Sequence, residues 1–267
     1  MAADPGYLRN SARDVRAQSP AGLQLMERVV YQQMAELDDR HWWYRARRQI
    51  LSELIRREAQ PPGNAQILEI GCGTGHNLAM LGGFGHVDGL ELDEEARGLS
   101  EKRLGRKVMS SPLPELAEVP DRHYDLIGAF DVIEHIENDE AALASIARKL
   151  RSGGKFVMAV PAHQWMWSAH DVVNHHQRRY SKRALRALIE GSPLELVKIG
   201  YFNSLLFPLA IAERVLSKLR GQENADVMLP PAPLNAALEM VFAAERHLVG
   251  RLPLPPGLSL FAVASAR

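Results

Sequence analysis

The stretch Ile67-Leu68-Glu69-Ile70-Gly71-Cys72-Gly73-Thr74-Gly75-His76 places three glycines within five residues, directly after an apolar run. Such a run, ending in bare backbone ahead of a helical pattern, predicts a strand, a tight turn and a helix start whose free N–H groups favour polar or anionic ligands. A nucleotide-like cofactor suits that arrangement. The dinucleotide fingerprint requires G-x-G-x-x-G, but here the third glycine comes one residue early and His76 takes its slot, which disfavours NAD.

On both sides of this stretch the chain alternates strand-like and helix-like segments. AQILEI leads into the loop. A helix, the run HVDGLEL, a helix over 94–103, the short run KVM and the run YDLIGAF follow. A helix over about 137–150, the turn Arg151-Ser152-Gly153-Gly154 and the strand KFVMAV complete the alternation. This βαβ order predicts an α/β fold with a parallel sheet covered by helices, with ligands at the carboxyl ends of its strands. Upstream, residues 22–59 hold two helix-period segments stopped by Pro61-Pro62-Gly63. Downstream, Tyr180-Ser181 caps a helix to about residue 190, and LELVKIGYF and GLSLFAVASA read as strands separated by a helical insertion at about 204–250. The expected organisation is an N-terminal helical cap, 1–60, on a cofactor-binding domain, 61–267, forming one globular unit.

Composition narrows the function classes. Lys+Arg and Asp+Glu both number 32, so the 267-residue chain has no formal net charge and lacks the basic footprint of a phosphate-gripping nucleic-acid binder. Its single cysteine, Cys72, rules out an internal disulfide framework or a cysteine-built zinc site and fits a reducing, cytoplasmic setting. No uncharged apolar run approaches the roughly 20 residues of a spanning helix. The apolar insertion SLLFPLAIAERVL is compatible with packing, a substrate pocket, a homodimer contact or peripheral contact with a membrane.

The glycine stretch, with Glu69 two residues before the first glycine, resembles the E/D-x-G-x-G-x-G signature of class I S-adenosylmethionine-dependent methyltransferases. GLELD, YDLIGAFDVIEHI and LRSGGKFVMAVP extend the resemblance over about residues 41–203, with Ser152 where the family's L-x-P-G-G turn has proline. The resemblance implies a Rossmann-like, doubly wound, seven-stranded and mostly parallel sheet with an antiparallel final strand. It also implies S-adenosylmethionine as cofactor and S-adenosylhomocysteine as product. Glu69, Gly71, Cys72, Gly73 and Gly75 would then cradle the cofactor, Glu91 would hold the ribose hydroxyls, and Leu92 would flank the adenine. Ser110, or Ser111, maps to the polar position after the third strand, and Asp131 with the following Glu134-His135 reaches the cofactor edge. In the aromatic-basic segment HWWYRARRQIL, Arg45 or Arg48 would meet the methionine carboxylate and Trp43 or Tyr44 the sulfonium side. Trp42 and Trp43, being adjacent, cannot share a helix face.

Two histidines are candidates for proton transfer, His135 after the fourth strand and His170 in the loop HQWMWSAHDVVNHHQRRY, because an unperturbed imidazole titrates near neutrality. That loop holds four histidines in 18 residues, at a spacing that fits no familiar metal triad, so no metal is expected. It reads instead as a substrate wall. Trp165 and Trp167 supply flat apolar area, His175 exchanges protons, Arg178 or Arg179 pairs with an anionic group, and Tyr180 closes the segment. The expectation is a methyltransferase acting on a small or medium acceptor. A non-catalytic S-adenosylmethionine-binding module and an NAD-dependent oxidoreductase are the competing readings.

Overall fold

The computed structural model describes residues 37–220 and 228–267, and the first of the two predicted upstream helices falls largely outside that range. Six strands form a single sheet: β1 (Ala65–Ile70), β2 (Gly85–Leu90), β3 (Tyr124–Phe130), β4 (Leu150–Pro161), β5 (Leu194–Phe202) and β6 (Ser259–Ala266). Their spatial order is β2-β1-β3-β4-β6-β5. The first four run parallel, while β6 is antiparallel to both β4 and β5. The α/β fold expected from the alternation is therefore present, and it fits the Rossmann-like architecture that the resemblance implies. Among the described residues the seventh strand is not formed. At KVM the pairing shrinks to one bridge, Leu90 to Met109, because the run is confined between a left-handed turn at Gly105 and Pro112, which has no N–H to extend a ladder.

Side chains along each buried strand alternate between two cores, the period of two that a sheet covered on both faces requires. Leu68, Ile70, Ile127, Ala129, Phe156 and Met158 meet Leu143 and Ile146 of α4 (Asp139–Lys149) and Leu185 and Ile189 of α6 (Lys182–Glu190). Ile67, Leu126, Val157 and Phe261 face the opposite way. There they pack with Ile50, Leu51 and Leu54 of α1 (Trp42–Leu54), Leu78 and Leu81 of α2 (His76–Gly82), and Phe242 of α8 (Ala232–Ala244). Helix α3 (Glu94–Leu104) starts at Asp93, whose side chain accepts from the Ala96 N–H, and α6 starts at Ser181, whose hydroxyl accepts from the Ala184 N–H.

The link from β5 into α7 (Phe207–Arg220) is closed by a carboxylate from the far end of the insertion. Glu245, fully buried, accepts from the N–H groups of Asn203, Ser204 and Leu205 at 2.6, 2.7 and 2.7 Å. Burial raises the pKa of this carboxyl, and the three donors work against that rise. Glu245→Ala leaves two buried donors, and a part-buried third at Leu205, without an acceptor; at about 1–3 kcal/mol for each buried donor, urea unfolding should show a loss of about 2 kcal/mol or more. A loss below about 1 kcal/mol would rule out the clamp.

Candidate active site

The three glycines after β1 serve different ends. A Cβ at Gly71 (φ +67°) would sit 2.5 Å from Val132 Cγ2, and one at Gly75 (φ +86°) would sit 2.9 Å from Ser100 Cα. Gly71 thus lets the loop touch the turn after β3, and Gly75 lets α2 start against α3. At Gly73 (φ +54°) a Cβ would have nothing within 4 Å, so this glycine faces the open side of the loop. His76, in the slot of the missing glycine, is buried, and its Nδ1 lies 2.9 Å from Thr74 Oγ1 and 2.8 Å from Asp38 Oδ2. It fastens the segment before α1 to the start of α2.

Two carboxylates border the bare loop. Glu69 is buried near the end of β1, with Oε1 accepting from Asn77 Nδ2 at 2.8 Å and Oε2 without a partner. Burial pushes its carboxyl up to about 8, against the pull of Asn77 and Arg47. Glu91, just past β2, accepts from the Gly73 N–H at 2.8 Å through Oε2 and from the Asp93 N–H at 2.9 Å through Oε1. Its carboxyl is likewise raised by burial. Arg97 fixes this rim by donating to the carbonyls of Glu91 and Leu92 and to Ser110 Oγ. Leu92 is half-buried and Ser110 exposed, whereas Ser111 is buried and accepts from the Glu118 N–H. Cys72 contributes backbone only: its side chain is buried against Gly89, and burial raises the thiol's pKa.

Asp131 ends β3 in the left-handed region, at φ +58°, a conformation that is uncommon without glycine. Its carboxylate pairs with Arg47 at 2.7 Å, and the Arg47 guanidinium carbon lies 4.9 Å from the centroid of the Trp43 ring. Trp42 points elsewhere, packing edge-on against Phe242 of α8. The basic residues favoured by the sequence have other carboxylate partners: Arg45 pairs with Glu239 of α8 at 3.2 Å, and Arg48 with Asp38 at 2.7 Å. Arg47 is the guanidinium on the Asp131 side. It shares a face with Trp43 four residues earlier, a spacing readable in the sequence.

One turn beyond Asp131 stands Glu134, fully buried, with neither carboxylate oxygen hydrogen-bonded. His135 follows it, in a short 3-10 turn, Ile133–His135. The His135 ring lies 4.7 Å from that of His176, at 88°. Burial, then the nearby His176 and His175, hold His135 down at about 4, well below the neutral range expected of it. It is a neutral imidazole at neutral pH and a weak base. His170, on the short helix α5 (Ala169–Val173), is exposed, with its ring 6.3 Å from that of His176.

The loop after β4 is organised around Asp171. This buried carboxylate takes Nε and Nη2 of Arg179 at 2.7 and 2.9 Å, Nδ1 of His176 at 2.8 Å and the Ser168 N–H at 2.8 Å. Arg178 pairs with Asp139 at 2.7 Å, and the Tyr180 hydroxyl donates to the same carboxylate at 2.7 Å. Both arginines therefore have carboxylate partners within the protein, Arg179 in the loop itself and Arg178 at the start of α4. Trp165 is 58% exposed and lies beside His163 and Phe207, while the Trp167 carbonyl accepts from Arg214. His175 is half-buried at φ +54°. Asp171 and His176 were not singled out in the sequence, since their partnership exists only once the loop folds.

A bare glycine loop at the carboxyl ends of parallel strands, bordered by acidic residues on the two adjacent strand ends, defines a Rossmann-like nucleotide-cofactor protein. The chain belongs to the methyltransferase-domain family, whose profile matches residues 42–199. It is 27% identical to a protein of Mycolicibacterium smegmatis named a probable S-adenosylmethionine-dependent methyltransferase, over 62% of this chain and 65% of that one. It is 28% identical to the ubiquinone biosynthesis O-methyltransferase of Aromatoleum aromaticum, over 46% and 58%. The chain spans about half the length of the curated relatives it matches. In fold it is similar to a SAM-dependent methyltransferase from Archaeoglobus fulgidus, at TM-score 0.51 and 17% identity, covering 82% of this chain and 94% of that one. S-adenosylmethionine is the cofactor of this class, and the residues present fit it: open space beside Gly73, an unpartnered buried oxygen on Glu69 and a second carboxylate at Glu91. Among the described residues no helix is long and apolar enough to cross a membrane.

Proposed function

We propose that the chain transfers a methyl group from S-adenosylmethionine to a small or medium acceptor that approaches from the side of the loop after β4. Open space beside Gly73, between Glu69 and Glu91, carries this reading. Bound there, the cofactor would supply a methyl group already activated by its positive sulfonium. Glu91 would accept from the ribose hydroxyls, Leu92 and Ser110 would border the base, and Arg47 with Trp43 would close the opposite edge above Asp131. The chain's remaining tasks are to hold the acceptor in line with the methyl carbon, exclude water and accept a proton where the acceptor loses one. The bound cofactor would supply a methyl carbon whose bond to sulfur would break as the acceptor atom bonds to it, leaving the electron pair on sulfur. Trp165 and Trp167 would supply the apolar wall, and α7 and α8 a second wall or a homodimer contact. We take residues 37–60, the described part of the predicted cap, as covering the face of the sheet lined by Ile67 and Leu126.

Calorimetry with S-adenosylmethionine, S-adenosylhomocysteine and NAD tests the reading. Both sulfur nucleosides should bind and NAD should not; binding of NAD alone would overturn it. Glu69 gives the titration a second readout. With its carboxyl at about 8, the group is mostly protonated at pH 7. A cationic ligand beside it favours ionisation, so binding should release a fraction of a proton, seen as a heat that varies with buffer ionisation enthalpy. The release should vanish in Glu69→Gln; its persistence there would clear Glu69 of the role.

A further inference from the structure

We propose that Glu134, His135 and His176 form a binding site for one divalent first-row transition-metal ion, placed beside the cofactor cradle to receive a hydroxyl oxygen of the acceptor. One potential ligand atom from each residue lies within 4.8 Å of the others. Two donors on opposite sides of one ion, each at about 2.2 Å, lie about 4.4 Å apart, so a small side-chain adjustment closes the set. Two imidazoles and one carboxylate suit such ions better than calcium or magnesium, which favour all-oxygen shells.

The state of each ligand points the same way. Among the carboxylates around this pocket, Asp131 has Arg47 and Asp171 has Arg179, but Glu134 is buried with both oxygens unpartnered. An isolated buried carboxylate is strongly disfavoured unless protonated or given a cation. His176 is held by Asp171 at Nδ1, which leaves Nε2 as its free lone pair. A buried carboxylate behind a histidine is the arrangement that fixes tautomer and ring direction in metal sites. The His135 ring stands beside that of His176, 4.7 Å away.

Placement ties the site to the reaction. Val132, between Asp131 and the Glu134 turn, is the residue that a Cβ on Gly71 would strike, so the pocket adjoins the glycine loop directly. Three protein ligands leave positions open. A hydroxyl oxygen bound there releases its proton to water more readily, because the ion stabilises the resulting oxyanion. The proton leaves to solvent, past the exposed His170, and the oxygen keeps its electron pair for the methyl carbon. This use of the ion rests on the methyltransferase reading; occupancy by the ion does not.

The test uses full-length protein stripped with chelator and titrated with Mn²⁺, free metal being followed by its electron paramagnetic resonance signal. One equivalent should bind per chain. Glu134→Gln and His176→Ala should each weaken binding at least tenfold, and Asp171→Asn roughly 10- to 100-fold through His176. S-adenosylhomocysteine titration of His176→Ala serves as the control and should stay near wild type. No saturable binding, or binding unchanged in both Glu134→Gln and His176→Ala, overturns the site. Metal bound without S-adenosylhomocysteine would uphold the site and refute the methyltransferase reading; the reverse would do the opposite.

Discussion

Glu91→Ala is expected to raise the dissociation constant for S-adenosylhomocysteine by roughly 10²- to 10⁴-fold. Two hydroxyl groups donating to one carboxylate are charge-assisted contacts worth about 1.5–3 kcal/mol each, and about 1.4 kcal/mol is a factor of ten. The proposed ribose role requires the carboxylate to stand at the loop before any ligand arrives, and it does: both oxygens lie within 2.9 Å of backbone N–H groups, at Gly73 and Asp93. That preorganisation enlarges the effect, since alanine also frees the Gly73 N–H. Glu91→Gln separates the two contributions. An amide keeps one acceptor oxygen but sets an NH₂ against either a backbone N–H or a ribose hydroxyl, so its affinity should fall between wild type and alanine. Thermal unfolding of all three proteins checks that the sheet is intact. A dissociation constant within about threefold of wild type in Glu91→Ala would sink the assignment.

Acid should weaken the same interaction. Burial raises the Glu91 carboxyl above 4.5, so the charged acceptor is lost at a higher pH than for an exposed glutamate. Hydroxyl donors need that charge, and affinity should therefore decline as pH falls toward this raised value. In Glu91→Gln that decline should disappear.

What the sequence made legible was local. The strand–glycine–helix transition at Gly71 to His76, the acidic residue after β2, and the Ser181 cap all rest on contacts between residues a few positions apart, and each stands where it was expected. Less legible were choices that depended on an element far along the chain. Arg45 and Arg48 carry the same charge as Arg47, and only the seating of α1 against α8 sends Arg45 to Glu239 and leaves Arg47 for Asp131. The expected seventh strand is reduced to one bridge at Met109 for a nearer reason, since Pro112 has no N–H with which to extend the ladder.

Histidine chemistry was the least legible, because an imidazole's behaviour is set by its surroundings. His135 was expected to titrate near neutrality, yet its burial and two histidine neighbours lower it to about 4. The spacing of the loop histidines matched no metal motif, because the three residues that converge come from two segments, the turn after β3 and the end of the loop after β4. Residues 134–135 and 176 are brought together by the fold, with Asp171 turning the imidazole of His176 toward the pocket. Sequence spacing within one segment could not have shown this.

Asp171→Ala should be the most destabilising substitution in the loop after β4, at about 3–5 kcal/mol, the usual loss when one partner of a buried ion pair is removed and the other stays. The carboxylate is fully buried and takes four donor groups: the Arg179 guanidinium, the His176 ring, and the backbone and hydroxyl of Ser168. Alanine strands the Arg179 guanidinium, whose side chain is only 11% exposed, and removes the capping box that starts α5. For a chain of this size about 2–4 °C accompanies each kcal/mol, so the melting temperature should fall by roughly 6–20 °C. The pH dependence gives an independent check. Burial would raise the Asp171 carboxyl, but hydrogen bonds from His176 and Arg179 outweigh it and hold it well below the ordinary 3.8. A depressed carboxyl stabilises the fold above its unfolded value and ceases to do so as pH falls through the folded one. The wild type should thus lose stability below about pH 4 more steeply than Asp171→Ala, and the two unfolding curves should converge in acid. Parallel curves down to pH 2, or a melting temperature lowered by less than about 2 °C, would show that the loop is held by something other than this carboxylate.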